Sequence, residues 1–263
     1  MIGFNRQLFR TTFGGLALVA LALASSGSCA QQSSGAQAAI AAAVSNPARP
    51  AEDRKADSLR KPAVLLAFSG VKPGDQVLEL IPGRGYFTRL LSLVVGPNGH
   101  VYTLVTAEEV NARATAADPI RSIAADRNFG NVTILTEPVS KFTVPRPVDL
   151  VWTTQNYHDL HDKAFGPADI SAFNKAVAAS LKPGGIFLVI DHAAAPGRGT
   201  KDTQTLHRID PAAAKSEIEA AGFKLSAESD ALKNPDDDHQ LRIFDPRIRG
   251  RTDKFAFKFI KPQ

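Results

Sequence analysis

The chain has 263 residues, of which 44% are hydrophobic and 22% charged, with a formal net charge of +5. That is the make-up of a globular protein with enough apolar residues to bury a sizeable core. Lys and Arg are scattered and form no stripe, which argues against a nucleic-acid partner. Cys29 is the only cysteine, so a chain processed beyond it has no disulfide, thiol nucleophile or thiolate metal site.

In chain order, Arg6 and Arg10 precede an uncharged apolar run over residues 13–24, and SSGSCAQQ follows. This pattern predicts a signal peptide over residues 1–30, cut after Ala30, with Ser28 and Ala30 in the two small-residue positions. The apolar run is short of the roughly 20 residues that span a bilayer. The expected location is therefore periplasmic or secreted, with no stable membrane insertion after cleavage. Lipid attachment at Cys29 is disfavoured by Ser26 three places ahead of it. Residues 31–52 are rich in Gln, Ser, Ala and Pro and predict a low-order tether, with room for a short helix at its alanines. A single domain is expected over 53–263. Its first helix covers about residues 54–68, and Pro62 either kinks it or starts another.

Strands and helices then alternate. QVLELI, HVYTLV, NVTILTE, VDLVWTT and GIFLVID are short Val/Ile/Leu-rich runs, as expected of strands covered on both faces. Phe87, Leu90, Leu91 and Val94 share one helical stripe, and Ile170, Phe173, Val177 and Leu181 share another. Asp210 and Pro211 open a further helix that Gly222 stops. FKLSAES and DKFAFKFIKP close the chain as two strands joined by a long polar connection over 230–252. The expected fold is α/β: a seven-stranded, mostly parallel sheet with an antiparallel last strand and helices on both faces. Ligands of such sheets sit beyond the carboxyl ends of the strands.

IPGRGYFT follows the first strand and opens a helix. Gly83 and Gly85 allow a ligand to approach the backbone, and the helix start offers unpaired N–H groups. With Glu79, Glu137, the polar stretch after the fourth strand and LKPGG, this set resembles the class I S-adenosylmethionine-dependent methyltransferases over roughly residues 55–263. ELIPGRGYFTRLLS, GPNGHVYTL, QNYHDLH, LKPGGIFLVIDHA, HRIDP and FDPRIRGRTDKFAFKF are similar to a group of exported bacterial predicted methyltransferases. The resemblance implies a Rossmann-like fold, S-adenosylmethionine as cofactor and methyl transfer to a small molecule. It also implies that Glu79 holds the cofactor's amino group, that Gly83 and Gly85 wrap its methionine and ribose, and that Glu137 faces adenine. Asn156 would add a contact, and Tyr86 would lie near the sulfonium, whose charge an aromatic face attracts. Two positions depart from the pattern. Ile81 stands at the usual first glycine, and Val105 stands where the second strand should end in a ribose-binding acid, with Glu108 and Glu109 close behind.

His158, His161, His192 and His207 all fall near the carboxyl edge of the expected sheet. Methyl transfer depends chiefly on holding donor and acceptor in line, and a base helps only when the acceptor must lose a proton. His158 is the first candidate for that base and Tyr157 the second, with Asp159 or His161 orienting. The competing reading is that Tyr157 and His158 simply pack and hydrogen-bond. His158 and His161 with Asp159 and Asp191 suggest a divalent ion, but no HExxH helix or second histidine pair accompanies them, so no metal is expected. The acidic run 236–238 lacks calcium-loop spacing and is expected to be a solvated turn or a lid paired with RIRGR. A binding module that keeps the fold without methyl transfer is the alternative function.

Overall fold

In the computed structural model, which describes residues 1–3, 34–163 and 168–263, Pro62 separates two helices instead of kinking one. Helix α2 (Ala51–Arg60) ends at Lys61, whose φ is +45°, and α3 (Pro62–Ser69) starts with the proline at its first position, where a missing N–H costs nothing. The expected leader and Cys29 lie almost wholly in residues 4–33, outside the described residues. The short helix for which the alanines of the expected tether left room is present as α1 over residues 35–45, but it is not loosely tethered: Ile40 and Ala43 are buried in the core. Arg49, 1% exposed, fastens the following turn through a two-pronged pair with Asp57 at 2.6 and 2.9 Å. The alanines left no apolar period to read, because small side chains dock closely without one.

The core of the 35–263 unit is a seven-stranded sheet. Its strands are β1 (Gln76–Leu80), β2 (His100–Leu104), β3 (Val132–Leu135), β4 (Val148–Thr154), β5 (Leu181–His192), β6 (Lys224–Ser229) and β7 (Lys254–Ile260). They lie in the order β3-β2-β1-β4-β5-β7-β6. The first five are parallel, and β7 runs antiparallel between β5 and β6. This is the expected class: order reverses between β1 and β4, which puts the switch point of the sheet beside the glycine turn.

Alternation along each strand feeds two cores. Val77 joins α3 (Leu65, Leu66), α4 (Tyr86–Val95) and α6 (Asp118–Ala125) on one face. Leu78 and Leu80 join α7 (Ile170–Ser180) and α9 (Pro211–Ala220) on the other. A short α5 (Ala107–Ala112) precedes α6, and α8 (Thr203–Leu206) lies in the stretch between β5 and α9. LKPGG does not precede β5 but belongs to it: Leu181 pairs with Val148 across a register shift.

The 230–252 connection has no helix or strand, yet it is firmly held. Arg208, fully buried, sends two nitrogens to Asp237 at 2.8 and 3.1 Å and also donates to the Ala193 and Leu241 carbonyls, each at 3.0 Å. Asp237 in turn accepts from the backbone of Asp253. The middle acid of the 236–238 run is thus the buried partner of the HRIDP arginine, not a solvated acid paired with RIRGR.

Candidate functional site

The turn after β1 is built under strain. Ile81, β-branched, sits at φ +51°, a left-handed conformation that costs such residues about 1–2 kcal/mol. Asn156 holds it there: its amide donates to the Ile81 carbonyl at 2.9 Å and to Leu80 at 3.3 Å, while its oxygen accepts from the Thr153 hydroxyl. Asn156 therefore acts as a clamp between the ends of β1 and β4, a role its place in the sequence did not show.

The two glycines differ. Gly83 has φ +58°, and a Cβ there would meet open space. Gly85 has φ +78°, and a Cβ there would lie 2.1 Å from Ile123 Cδ1 and 3.1 Å from Ile120 Cδ1. Gly85 is thus needed for close packing of α4 on α6, and the expectation that it leaves room for a ligand is corrected. Of the two, only Gly83 has open space above it. Beneath the turn, Glu79 is 4% exposed and accepts a 2.5 Å bond from Thr88. Burial pushes its carboxyl up to about 8, against the smaller opposing effects of Thr88 and the Arg89 charge. It is a proton-holding acid at neutral pH, ready to ionise beside a cation.

Other expected cofactor contacts are already engaged. Tyr86 is buried, donates to Asp57 at 2.6 Å, and has the Arg60 guanidinium 4.6 Å and that of Arg49 5.5 Å from its ring centre. The cations against that ring belong to the chain itself. Glu137 lies beyond the end of β3, and its carboxylate accepts from the Thr143 N–H at 2.7 Å. Glu79 and Glu137 are separated by the width of β2 and make no common contact. Val105 is buried core. Of the acids behind it, Glu109 completes a capping box with Thr106 on α5, and Glu108 accepts from the Val139 N–H.

The histidines diverge after β4. Tyr157 is fully buried, accepts from Asn174 at 3.0 Å and donates to Glu217 of α9 at 3.2 Å. Its phenol is pushed far up, by burial first and then by the Glu217 charge. His161 turns the same way, 3.2 Å from Glu217. Both side chains are engaged with Glu217 of α9. His158, 1% exposed, has Nδ1 2.8 Å from Asp191 and Nε2 3.0 Å from Asp159, and its backbone N–H donates to Asp191 at 2.7 Å. Burial opposes its charge, but the Asp191 charge and the hydrogen bonds of both acids outweigh burial and push its pKa up to about 10. A histidine already protonated cannot serve as the general base, so the first three catalytic candidates are all corrected.

His192 was placed in the sequence but not chosen. It ends β5 and lines a cavity of about 250 Å³ with Arg60, Gln155, Phe244, Arg249 and Lys254. Its Nδ1 lies 2.7 Å from the Thr252 hydroxyl. Burial first, then the nearby Lys254 charge, holds its pKa well below the usual value, so the ring is neutral. Lys254 is pulled down to about 8, by burial and then the Arg60 charge. The signal available was position: His192 directly follows an acid at the carboxyl end of β5.

No family model matches the chain. Over 127 residues it is 29% identical to a protein-L-isoaspartate O-methyltransferase of Ignicoccus hospitalis, covering 48% of this chain and 52% of that protein. Over 130 residues it is 29% identical to the ubiquinone/menaquinone biosynthesis C-methyltransferase UbiE of Stutzerimonas stutzeri, covering 48% and 45%. The chain therefore spans about half the length of the curated relatives it matches. In structure it is similar to an S-adenosylmethionine-dependent methyltransferase from Mesorhizobium loti, with TM-score 0.51 and 18% identity over 78% of this chain and 99% of that one. It is similar too to the glycopeptide N-methyltransferase MtfA solved with S-adenosylmethionine, with TM-score 0.52 and 15% identity over 79% and 87%. The chain thus has the Rossmann-like fold of the class I S-adenosylmethionine-dependent methyltransferases.

Proposed function

We propose that the protein is an S-adenosylmethionine-dependent methyltransferase acting on a small, negatively charged acceptor. The observation that carries this reading is Glu79, a buried acid with a single side-chain hydrogen bond, beneath the open glycine of the turn at the sheet's switch point. A ligand bearing an ammonium or sulfonium charge supplies the cation that would let it ionise. Glu79 and Gly83 are the residues that would hold the cofactor, with Asn156 keeping the turn in shape. When bound, S-adenosylmethionine supplies an electrophilic methyl group.

The acceptor would occupy the 250 Å³ cavity. Arg60, Arg249 and Lys254 on its walls favour an anion, and His192 takes the place expected of His158 as the group that receives a proton from the acceptor. Export to the periplasm, and the closer likeness to the exported bacterial group carried by QNYHDLH and HRIDP, belong to the same proposal. A binding module without turnover is favoured by one observation: Glu108 and Glu109, the acids behind Val105, are both engaged within the protein. Incubation with methyl-labelled S-adenosylmethionine and fractionated small-molecule extracts separates the two. Protein-dependent release of S-adenosylhomocysteine, lost in Gly83→Leu, supports the enzyme. Cofactor binding with no release from any fraction leaves the binding module.

A further inference from the structure

We infer that His158, Asp159, Asp162 and His207 form a binding site for one divalent cation of the zinc type. The cluster joins the turn after β4 to the end of α8. Bonds of about 2.0–2.1 Å in a tetrahedron place ligand atoms roughly 3.3 Å from one another. Here His158 Nε2 is 3.0 Å and His207 Nδ1 3.5 Å from Asp159 Oδ1, and His207 Nδ1 is 3.7 Å from Asp162 Oδ2. The donor atoms of His158, Asp159 and His207 all lie within 4.8 Å of one another.

Two independent features point to a cation. Asp162 is 3% exposed, yet its Oδ1 has no hydrogen-bond partner, and a buried carboxylate oxygen left unpaired is costly. Asp191, itself fully buried, sits 2.8 Å from His158 Nδ1, which is how an outer carboxylate fixes the tautomer that presents Nε2 to a metal. Two imidazoles and two carboxylates suit zinc better than calcium, which takes oxygen ligands, or copper(I), which selects thiolates. His158, Asp159 and His207 supply three ligands, and Asp162, whose Oδ2 lies 3.7 Å from His207 Nδ1, would close in as the fourth to make a site that fastens chain segments and does not activate water. On loading, the metal replaces the proton on His158 Nε2, and that proton leaves to solvent. At His207 the ring proton moves to Nε2, so the exposed Arg242 guanidinium, now 3.0 Å from that nitrogen, swings away.

This inference does not depend on methyl transfer. The test uses the tag-free full chain, stripped with a chelator and dialysed against zinc chloride, with bound metal measured by elemental analysis. One zinc per chain is expected, and zinc should raise the melting temperature. His207→Ala and Asp162→Ala should lose both effects, while His161→Ala, whose ring faces Glu217, should keep both. Circular dichroism of each variant verifies folding, and cobalt substitution should give the visible absorption of a tetrahedral centre in the wild type alone among wild type, His207→Ala and Asp162→Ala. Less than about a tenth of a zinc per chain in the wild type, or His207→Ala binding as tightly as the wild type, overturns the site.

Discussion

Two turns at the same edge of the sheet, after β1 and after β4, use their polar groups in opposite ways. The turn after β4 commits nearly every group within the protein: Tyr157 and His161 to Glu217, Asn156 to the β1 turn, His158 to two acids. The turn after β1 leaves Gly83 beside open space and Glu79 without a cation. Titratable residues crowd the turn after β4, yet the groups left uncommitted lie in the turn after β1 and in the cavity lined by His192.

Breaking the committed turn should produce the largest effect. Asp191→Ala leaves the buried His158 ring and the backbone N–H groups of His158 and His192 without their acceptor, and should cost about 3–5 kcal/mol in denaturant unfolding. The glycines come next. Gly85→Ala drives a methyl group against Ile123 at a positive φ and should cost about 3 kcal/mol, whereas Gly83→Ala, strained but unobstructed, should cost about 1 kcal/mol. Equal costs would remove the distinction between a packing glycine and an approach glycine.

A gentler probe is pH. The folded protein holds a proton on Glu79 up to about 8, against an ordinary value of 4.5, while the unfolded chain releases it near the lower value. The stabilising contribution is therefore complete below 4.5 and is lost as pH rises through 8, by up to about 1.4 kcal/mol per pH unit. Glu79→Gln should flatten that part of the stability profile. An unchanged slope would show that Glu79 is already ionised in the free protein.

The sheet was legible because buried parallel strands show as Val/Ile/Leu runs and because β6 and β7 follow one another with no helix between. The docking of helix α1 on the core was hidden by its alanines, and the end of β3 was placed two residues late because Thr136 and Glu137 continue its extended pattern. At the candidate site, the strand–turn–helix that carries Glu79 and Gly83 was readable from its motif. The exclusion of Tyr157 and His161 was not, since it depends on Glu217, some sixty positions away in sequence. His192 was passed over because burial and a neighbouring lysine, which keep it neutral, arise only when β5 and β7 pair.

The central claim is that the turn after β1 receives a cationic nucleotide-like cofactor. Calorimetric titration of the protein with S-adenosylmethionine tests it most directly. Saturable one-to-one binding is expected, weakening at least tenfold, about 1.4 kcal/mol, in a folded Gly83→Leu variant. Absence of heat at millimolar ligand, or binding unchanged by that substitution, would contradict it.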